Sequence, residues 1–206
     1  MCLVYILDDD EELSESLAWL LESVGILSER YRDARTFLRS YDRDRPACLV
    51  LDVRMPELSG FGVQEVLNET GAAMPVVFVS AHGDIRMSVR AMQRGAVDFL
   101  EKPYDPQHML DVVQSAQRTA RERFAREAQQ AGLRAKLDAL TAREKEVLDL
   151  SVEGASNKQI AGRLGISAKT VDVHRAHIRE KTGAESIAAL VRDVLRLDAT
   201  GRGACP

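Results

Sequence analysis

Asp8, Asp9, Asp52, Ser80 and Lys102 are the residues of this chain whose types and places suggest chemistry. Each closes or follows a short apolar run: Asp8 and Asp9 come after "LVYIL", Asp52 ends "CLVLD", Ser80 ends "VVFVS", and Lys102 lies just past "AVDFL". Carboxylates crowded together repel one another, which costs free energy unless a cation or bulk water relieves them. The run "DDDEE" from Asp8 to Glu12 leaves two readings open. Acidic side chains suit a first helical turn, where the macrodipole favours them. Three carboxylates converging from two places suit Mg²⁺, a hard cation that demands octahedral oxygen ligands and keeps several waters. On the second reading Asp9 and Asp52 are direct ligands, Asp8 binds directly or through water, and Asp10, Glu11 and Glu12 face solvent. A metal there would offset the charge of an incoming phosphoryl group, so that a carboxylate can act as nucleophile in an in-line displacement. Asp52, alone at its strand end, is the best placed nucleophile. Lys102 is suited to pair with one phosphoryl oxygen and Ser80 to donate a hydrogen bond to another.

Such a constellation requires elements that bring distant residues to one edge. "LVYIL" (3–7), "CLVLD" (48–52), "VVFVS" (76–80) and "AVDFL" (96–100) read as strands rich in β-branched and aromatic residues, with "ILSERY" (26–31) as a weaker fifth. Between them Leu13, Leu17, Leu20, Leu21 and Val24 recur at helical spacing, as do Phe61, Val63, Val66 and Leu67, and then Ile85, Val89 and Met92. Alternating strands and helices imply a parallel sheet covered on both faces, whose sites lie at the carboxyl ends of its strands. The fold class expected is α/β, a (βα)5 doubly wound parallel-sheet domain followed by a long linker helix and a small all-α four-helix domain.

The 206 residues, 45% hydrophobic and 29% charged, suffice for two compact domains and exclude a disordered or fibrous chain. Cys2, Cys48 and Cys205 show no metal or redox spacing, and their odd number argues against a disulfide framework. No apolar run approaches the roughly 20 residues that span a bilayer, and no signal-like start is present, so no membrane partner and a cytoplasmic location are expected. The net charge of −4 hides an asymmetry, −8 over residues 1–122 against +4 over 123–206. A polyanionic partner is plausible only for the second part.

From about Met109 to Leu137 the chain is rich in Ala, Arg, Glu and Gln, which predicts a long helix, with "RTARERFAREAQQ" as a solvated linker. Shorter helical patterns follow: "TAREKEVLDLSVEG", "NKQIAGRLG", "SAKTVDVHRAHIREKTG" and "SIAALVRDVLRL". The first three stop at Gly, and Thr141 and Ser167 are suitable N-caps. The tail "ATGRGACP" is expected to fray. Ile160, Ala161, Leu164 and Ile166 are spaced to pack on Val171 and Ile178, as in a helix-turn-helix whose second helix enters the major groove. Residues 155–181 carry six Lys and Arg against two Asp and Glu, a surface that seeks phosphates. The outer face of that helix carries Lys169, Asp172, Val173, Ala176 and His177. A carboxylate there can accept from a cytosine amino group, and Val173 can touch a thymine methyl.

The paired acids after the first strand, "LDVRMPELSG", "SAHGD" and "DFLEKPY" together resemble the receiver domain of two-component response regulators, over residues 1–122. "LTAREKEVLDLSVEGASNKQIAGRLGISAKTVDVHRAHIREKTG" resembles the LuxR-type DNA-binding domain, over residues 138–198, with a helical linker at 123–137 and a flexible tail at 199–206. The whole is similar to NarL/FixJ-type response regulators, nearest the FixJ branch. The resemblance implies that Asp52 accepts a phosphoryl group from a sensor histidine kinase. It also implies that Asp8, Asp9, Asp52 and the backbone carbonyl of Arg54 surround Mg²⁺, that Ser80 and Phe99 form the switch pair, and that Lys102 contacts the phosphate. It implies base-facing positions at Asp172, Val173 and Ala176, with Lys158, Lys169, Thr170, Arg175 and His177 as phosphate contacts on double-stranded DNA. Homodimerisation on phosphorylation, supported by the helix from Ile187 to Leu195, and an RNA polymerase partner follow from the same resemblance. No enzymatic turnover is expected beyond self-phosphorylation from small donors and autodephosphorylation.

The same residues admit other readings. A Mg²⁺-dependent phosphatase with an Asp52 nucleophile often carries a second acid two residues on, and here that place holds Arg54. A protein-docking adaptor that never touches DNA is the third class. His174 and His177 lie three apart, but no acid or thiol is placed to complete a transition-metal set. His82 reads as a solvated loop residue and Trp19 as a residue packed locally on the first helix.

Overall fold

The computed structural model describes residues 2–72, 74–81 and 84–201, with side chains to residue 197. His82 and residues 202–206, including Cys205, lie outside the described residues. The chain forms two compact units, one up to Glu127 and one from Ala128 onward.

In the first unit five strands alternate with helices: β1 (Leu3–Leu7), α1 (Glu11–Ser23), β2 (Ser28–Tyr31), α2 (Ala34–Ser40), β3 (Ala47–Asp52), α3 (Gly60–Glu69), β4 (Val76–Ser80), α4 (Ile85–Gln93), β5 (Asp98–Glu101) and the first part of α5 (Pro106–Asp138), whose last residues belong to the second unit. All neighbouring strands pair in parallel, in the order β2-β1-β3-β4-β5. Because side chains alternate across a strand, each strand feeds two cores. Leu3, Tyr5, Leu7, Leu49 and Leu51 face Phe37 of α2, Val63 and Leu67 of α3, and Ala91 of α4. Val4, Ile6, Cys48 and Val50 face Leu17 and Leu21 of α1 and Met109 and Val113 of α5. This is the doubly wound α/β arrangement that the alternation of runs predicts.

Differences from the sequence reading follow from where the apolar stripes fall. The (βα)5 expectation includes the short α2 but no residues were assigned to it, since its fully buried face consists of Ala34 and Phe37. Trp19 does not pack locally: it is 69% exposed. The buried stripe of α1 is Ser14, Leu17 and Leu21, and a residue two places after Leu17 points to another side of the helix.

Helix α5 is continuous over 33 residues, and beyond the stretch 118–130 read as a solvated linker, Leu133 and Leu137 pack on the core of the second unit. That unit holds α6 (Ala142–Val152), α7 (Asn157–Leu164), α8 (Ala168–Thr182) and α9 (Ile187–Gly201). The last of these continues past Leu195 and takes in residues 199–201 of the tail expected to fray. Thr141 and Ser167 cap α6 and α8 as read, and Gly154, Gly165 and Gly183 adopt the positive φ at which each pattern stops. Val147, Leu148, Ile160, Val171, Ile178 and Leu190 form the core. Among the described residues no helix is long and apolar enough to cross a membrane.

Candidate functional site

The strand order reverses direction between β1 and β3, and a crevice at the carboxyl ends of those strands is the place where open parallel sheets bind ligands. Asp8 directly follows β1, Asp52 closes β3, Ser80 closes β4, and Lys102 directly follows β5. Lys102 Nζ lies 2.7 Å from Asp8 Oδ2 and 2.8 Å from Asp52 Oδ1. The side chains of Lys102, Asp8 and Asp52 are only 10%, 6% and 8% exposed. The other carboxylate oxygens accept from backbone: Asp10 N donates to Asp8 Oδ1 at 3.0 Å and Arg54 N to Asp52 Oδ2 at 2.6 Å.

The surroundings fix this geometry. Gly60 opens α3 directly beneath Asp52, and a Cβ added there would meet the Asp52 carbonyl oxygen at 2.3 Å. Asp10 caps α1, accepting from the backbone of Glu12 and Leu13. In the acidic run Asp8 is buried, whereas Asp9 is exposed and Asp10, Glu11 and Glu12 stand at the exposed start of α1.

Burial pushes the Asp52 carboxyl above its ordinary value, against the hydrogen bond and charge of Lys102, with the charge of Asp8 also raising it. Burial alone would lower Lys102, but its hydrogen bonds to Asp52 and Asp8 outweigh that and raise it. One cation thus serves two buried carboxylates, and the site carries unbalanced negative charge.

Of the three carboxylates read as the metal site, the structure brings Asp8 and Asp52 together around Lys102. Asp9 is exposed, and no three His, Cys, Asp or Glu side chains among the described residues are grouped to hold a metal. The Lys102 ammonium occupies the space between Asp8 and Asp52 and satisfies both. The donors nevertheless suit Mg²⁺ chemically, because that ion is commonly held by one or two carboxylates together with phosphate oxygens and waters. Asp8 and Asp52 supply hard oxygens and a net charge that a divalent cation would offset.

Ser80 is 1% exposed, and its carbonyl accepts from Lys102 N at 2.8 Å. Phe99 stands opposite Phe78 in the β4–β5 ladder, is half-buried, and its ring centroid is 6.4 Å from that of Phe78.

In the second unit α7, the Gly165 turn and α8 make the helix-turn-helix. Lys158, Lys169, Asp172, Val173, Ala176 and His177 are exposed. Thr170 and Arg175 are not on that open surface. Thr170 is half-buried and shares a hydrogen bond with Ser167, the α8 cap. Arg175 reaches Ser151 on α6 through Nη2 at 3.1 Å. Asp172 is not free either, since Asn157 Nδ2 donates to its Oδ1. The sequence reading missed Asn157 and the Glu144–Lys181 pair, because each joins residues far apart in the chain with no local pattern to mark them. Glu144 is 3% exposed, and its Oε2 accepts from Lys181 Nζ at 2.7 Å and from the backbone and hydroxyl of Thr141. Burial would raise its carboxyl, but these donors outweigh that and hold it at about 2.

A doubly wound domain with an acid and lysine pocket at its switch point, followed by a basic-faced helix-turn-helix, defines a class: a receiver joined to a DNA-binding module. Comparison with known proteins agrees. The family described as "Response regulator receiver domain" matches residues 4–114, and "Bacterial regulatory proteins, luxR family" matches residues 138–194. The chain is 41% identical over 194 residues to the response regulator protein TodT of Pseudomonas putida, covering 94% of this chain and 86% of that one. It is 40% identical over 192 residues to the transcriptional regulatory protein FixJ of Azorhizobium caulinodans, covering 93% and 91%. The solved structure of the response regulator StyR superimposes with a TM-score of 0.80 at 42% identity, covering 95% of this chain and 98% of that one. The chain belongs to the NarL/FixJ-type two-component response regulators, transcription regulators with a receiver domain and a LuxR-type DNA-binding domain.

Proposed function

We propose that Asp52 accepts a phosphoryl group from the phosphohistidine of a sensor kinase, with Mg²⁺, and that this switches the protein to DNA binding as a dimer. The observation that carries the reading is Lys102 Nζ held between Asp8 and Asp52, 2.7 and 2.8 Å from their oxygens. An Asp52 carboxylate oxygen attacks phosphorus in line, the P–N bond breaks, and the imidazole nitrogen of the donor keeps the electron pair. Bound Mg²⁺ supplies charge neutralisation to the phosphoryl oxygens, and Asp8, Asp9, Asp52 and the Arg54 carbonyl are the groups to hold it. Lys102 leaves Asp52 for a phosphoryl oxygen, keeping its charge paired. The product carries up to about two negative charges and three acceptors. Ser80, one residue past the strand register that pairs Val79 with Asp52, donates to one of them, and Phe99 turns inward in response.

Residues 123–137 serve as the linker between the domains. For dimerisation the helix α4 offers Ile85, Val89 and Met92, which are 82%, 47% and 48% exposed at helical spacing. On DNA, Lys158, Lys169 and His177 contact phosphates and Val173 and Ala176 face bases. Asp172 reads the groove with the oxygen that Asn157 does not occupy. Arg175 and Thr170 act through the packing of α8. Linking two weak half-site contacts in a dimer raises their effective concentration, and contact with RNA polymerase then regulates transcription, in the cytoplasm.

Intact protein incubated with acetyl phosphate and Mg²⁺ is expected to gain the mass of one phosphoryl group, and Asp52→Asn to gain none. Selection from a random DNA pool is expected to enrich sequences with the phosphorylated chain and not with Asp52→Asn. Equal enrichment by both chains would remove the switch, and absence of any DNA affinity at low salt would remove the DNA-binding reading.

A further inference from the structure

A cavity of about 150 Å³ opens at the other end of the receiver sheet from Asp52. Its walls come from the loop between α2 and β3, from the loop between α3 and β4, and from α5 at Ala120, Phe124 and Glu127. Strand β3 runs from Ala47 in this wall to Asp52, so at about 3.3 Å per residue the two places lie roughly 17 Å apart.

The wall contains polar groups that the protein leaves unmatched. Tyr41 is 8% exposed, and its hydroxyl is buried with no hydrogen-bond partner, a state that a water or a ligand must relieve. Arg45 is half-buried and makes no ion pair among the described residues. The guanidinium of Arg43 lies 5.2 Å over the Tyr41 ring. Its side chain is exposed, so it can shift as a ligand enters. Met74 and Phe124 provide an apolar lining between these groups.

Two acids also border the cavity. Asp42 already accepts from the backbone of Asp44 at 2.8 Å. Glu127, on α5, repels an anion and so favours an anionic head group on the Tyr41 and Arg45 wall. A space of this volume holds a body of about benzene size.

We propose that this cavity binds a small monocarboxylate of about four to seven carbons. Its carboxylate takes the hydrogen bond of the Tyr41 hydroxyl and pairs with Arg45, and its hydrocarbon lies against Met74 and Phe124. The α5 residues involved lie just before the point at which the two compact units divide. Occupancy therefore fixes the stretch of α5 from which the chain passes to the DNA-binding unit, an input separate from Asp52.

The test titrates hexanoate into the full chain and follows backbone amide resonances, with hexan-1-ol as the neutral control. Saturable shifts are expected at residues 41–47, 70–72 and 120–127 with hexanoate, at a millimolar Kd, and not with hexan-1-ol. Tyr41→Phe, which keeps the ring, and Arg45→Gln are each expected to weaken binding about tenfold, the change that one lost charge-assisted hydrogen bond produces. Absence of saturable shifts overturns the site, and so do equal shifts with hexan-1-ol or affinities unchanged by both substitutions. If Arg45→Gln fails to fold, Tyr41→Phe decides alone. Asp52→Asn is expected to bind hexanoate as the unaltered chain does, so failure of this site and failure of phosphoryl acceptance are told apart.

Discussion

Each unit of this protein buries a carboxylate against a lysine, at nearly the same distance and with opposite results. Asp52 Oδ1 lies 2.8 Å from Lys102 Nζ, and Glu144 Oε2 lies 2.7 Å from Lys181 Nζ. Burial raises Asp52 in spite of its lysine, whereas the donors around Glu144 overcome burial and hold it at about 2. The difference lies in what else each lysine must serve. Lys102 is divided between Asp8 and Asp52, while among the described residues Lys181 pairs only with Glu144, and Thr141 adds two further donors. Glu144 and its partners form a completed capping box and brace. The Asp52 pocket is left with one negative charge too many, the condition in which a cation or an incoming phosphoryl group finds something to do.

The largest way to break the contrast is to remove Lys102. Lys102→Ala strands two buried carboxylates, which is expected to destabilise the receiver unit by about 3–5 kcal/mol at neutral pH. The loss should shrink in acid as Asp52, whose carboxyl is raised, takes up its proton. Urea unfolding followed by far-ultraviolet circular dichroism at pH 8 and pH 5 measures both. An equal loss at the two values would mean that Lys102 acts by packing rather than by charge.

Glu144→Ala is the corresponding change in the second unit. It removes the capping box and the Lys181 contact, and a cost of about 2–3 kcal/mol is expected. Lys181 is 38% exposed and regains water, so this loss is smaller than that at Lys102.

Acid separates the two carboxylates by sign. Glu144, lowered from 4.5 to about 2 in the folded chain, contributes stability in full above pH 4.5. That contribution is lost as the pH falls through that window to 2. Asp52 is raised, so the folded state takes up its proton before the unfolded state does, and acidification relieves its contribution instead. Thermal unfolding of the native chain and Glu144→Gln from pH 7 to pH 3 tests this. The variant should lack most of the native chain's decline in the second unit, and parallel declines would contradict the assignment.

The strand-end rule made the receiver pocket largely legible before any coordinates. β1, β3 and β4 are unbroken apolar runs buried on both faces, so their ends, and with them Asp8, Asp52 and Ser80, could be placed closely. β5 was read as 96–100 and lies at Asp98–Glu101, since its short edge strand is only partly buried and its limits depend on pairing with β4. The rule could not show that Lys102 would fill the space between Asp8 and Asp52, nor that Asp9 would face solvent. A strand end fixes where a Cα lies and leaves the side-chain direction open. In the second unit the caps and glycine stops were local and readable. The ties of Asn157 to Asp172 and of Arg175 to Ser151 join residues 15 and 24 apart, and only packing creates them.

The finest test converts one pocket into the other. Asp8→Asn leaves Lys102 paired with Asp52 alone, as Lys181 is with Glu144. Both Asp8 oxygens accept hydrogen bonds, from Asp10 N and Lys102 Nζ, so the amide forfeits one of them, about 1 kcal/mol. Against this it removes a like charge held beside Asp52 in a poorly solvated pocket, an effect larger than the same pair would have in water. The expected balance is a gain of about 0.5–1 kcal/mol in receiver stability, with Asp52 moving down toward its ordinary value and weaker Mg²⁺-dependent phosphorylation by acetyl phosphate. Equilibrium unfolding and the intact mass after acetyl phosphate treatment read the two effects separately. A variant that is less stable than the native chain would show that Asp8 is held as firmly as Glu144, and the unbalanced charge would no longer distinguish the two sites.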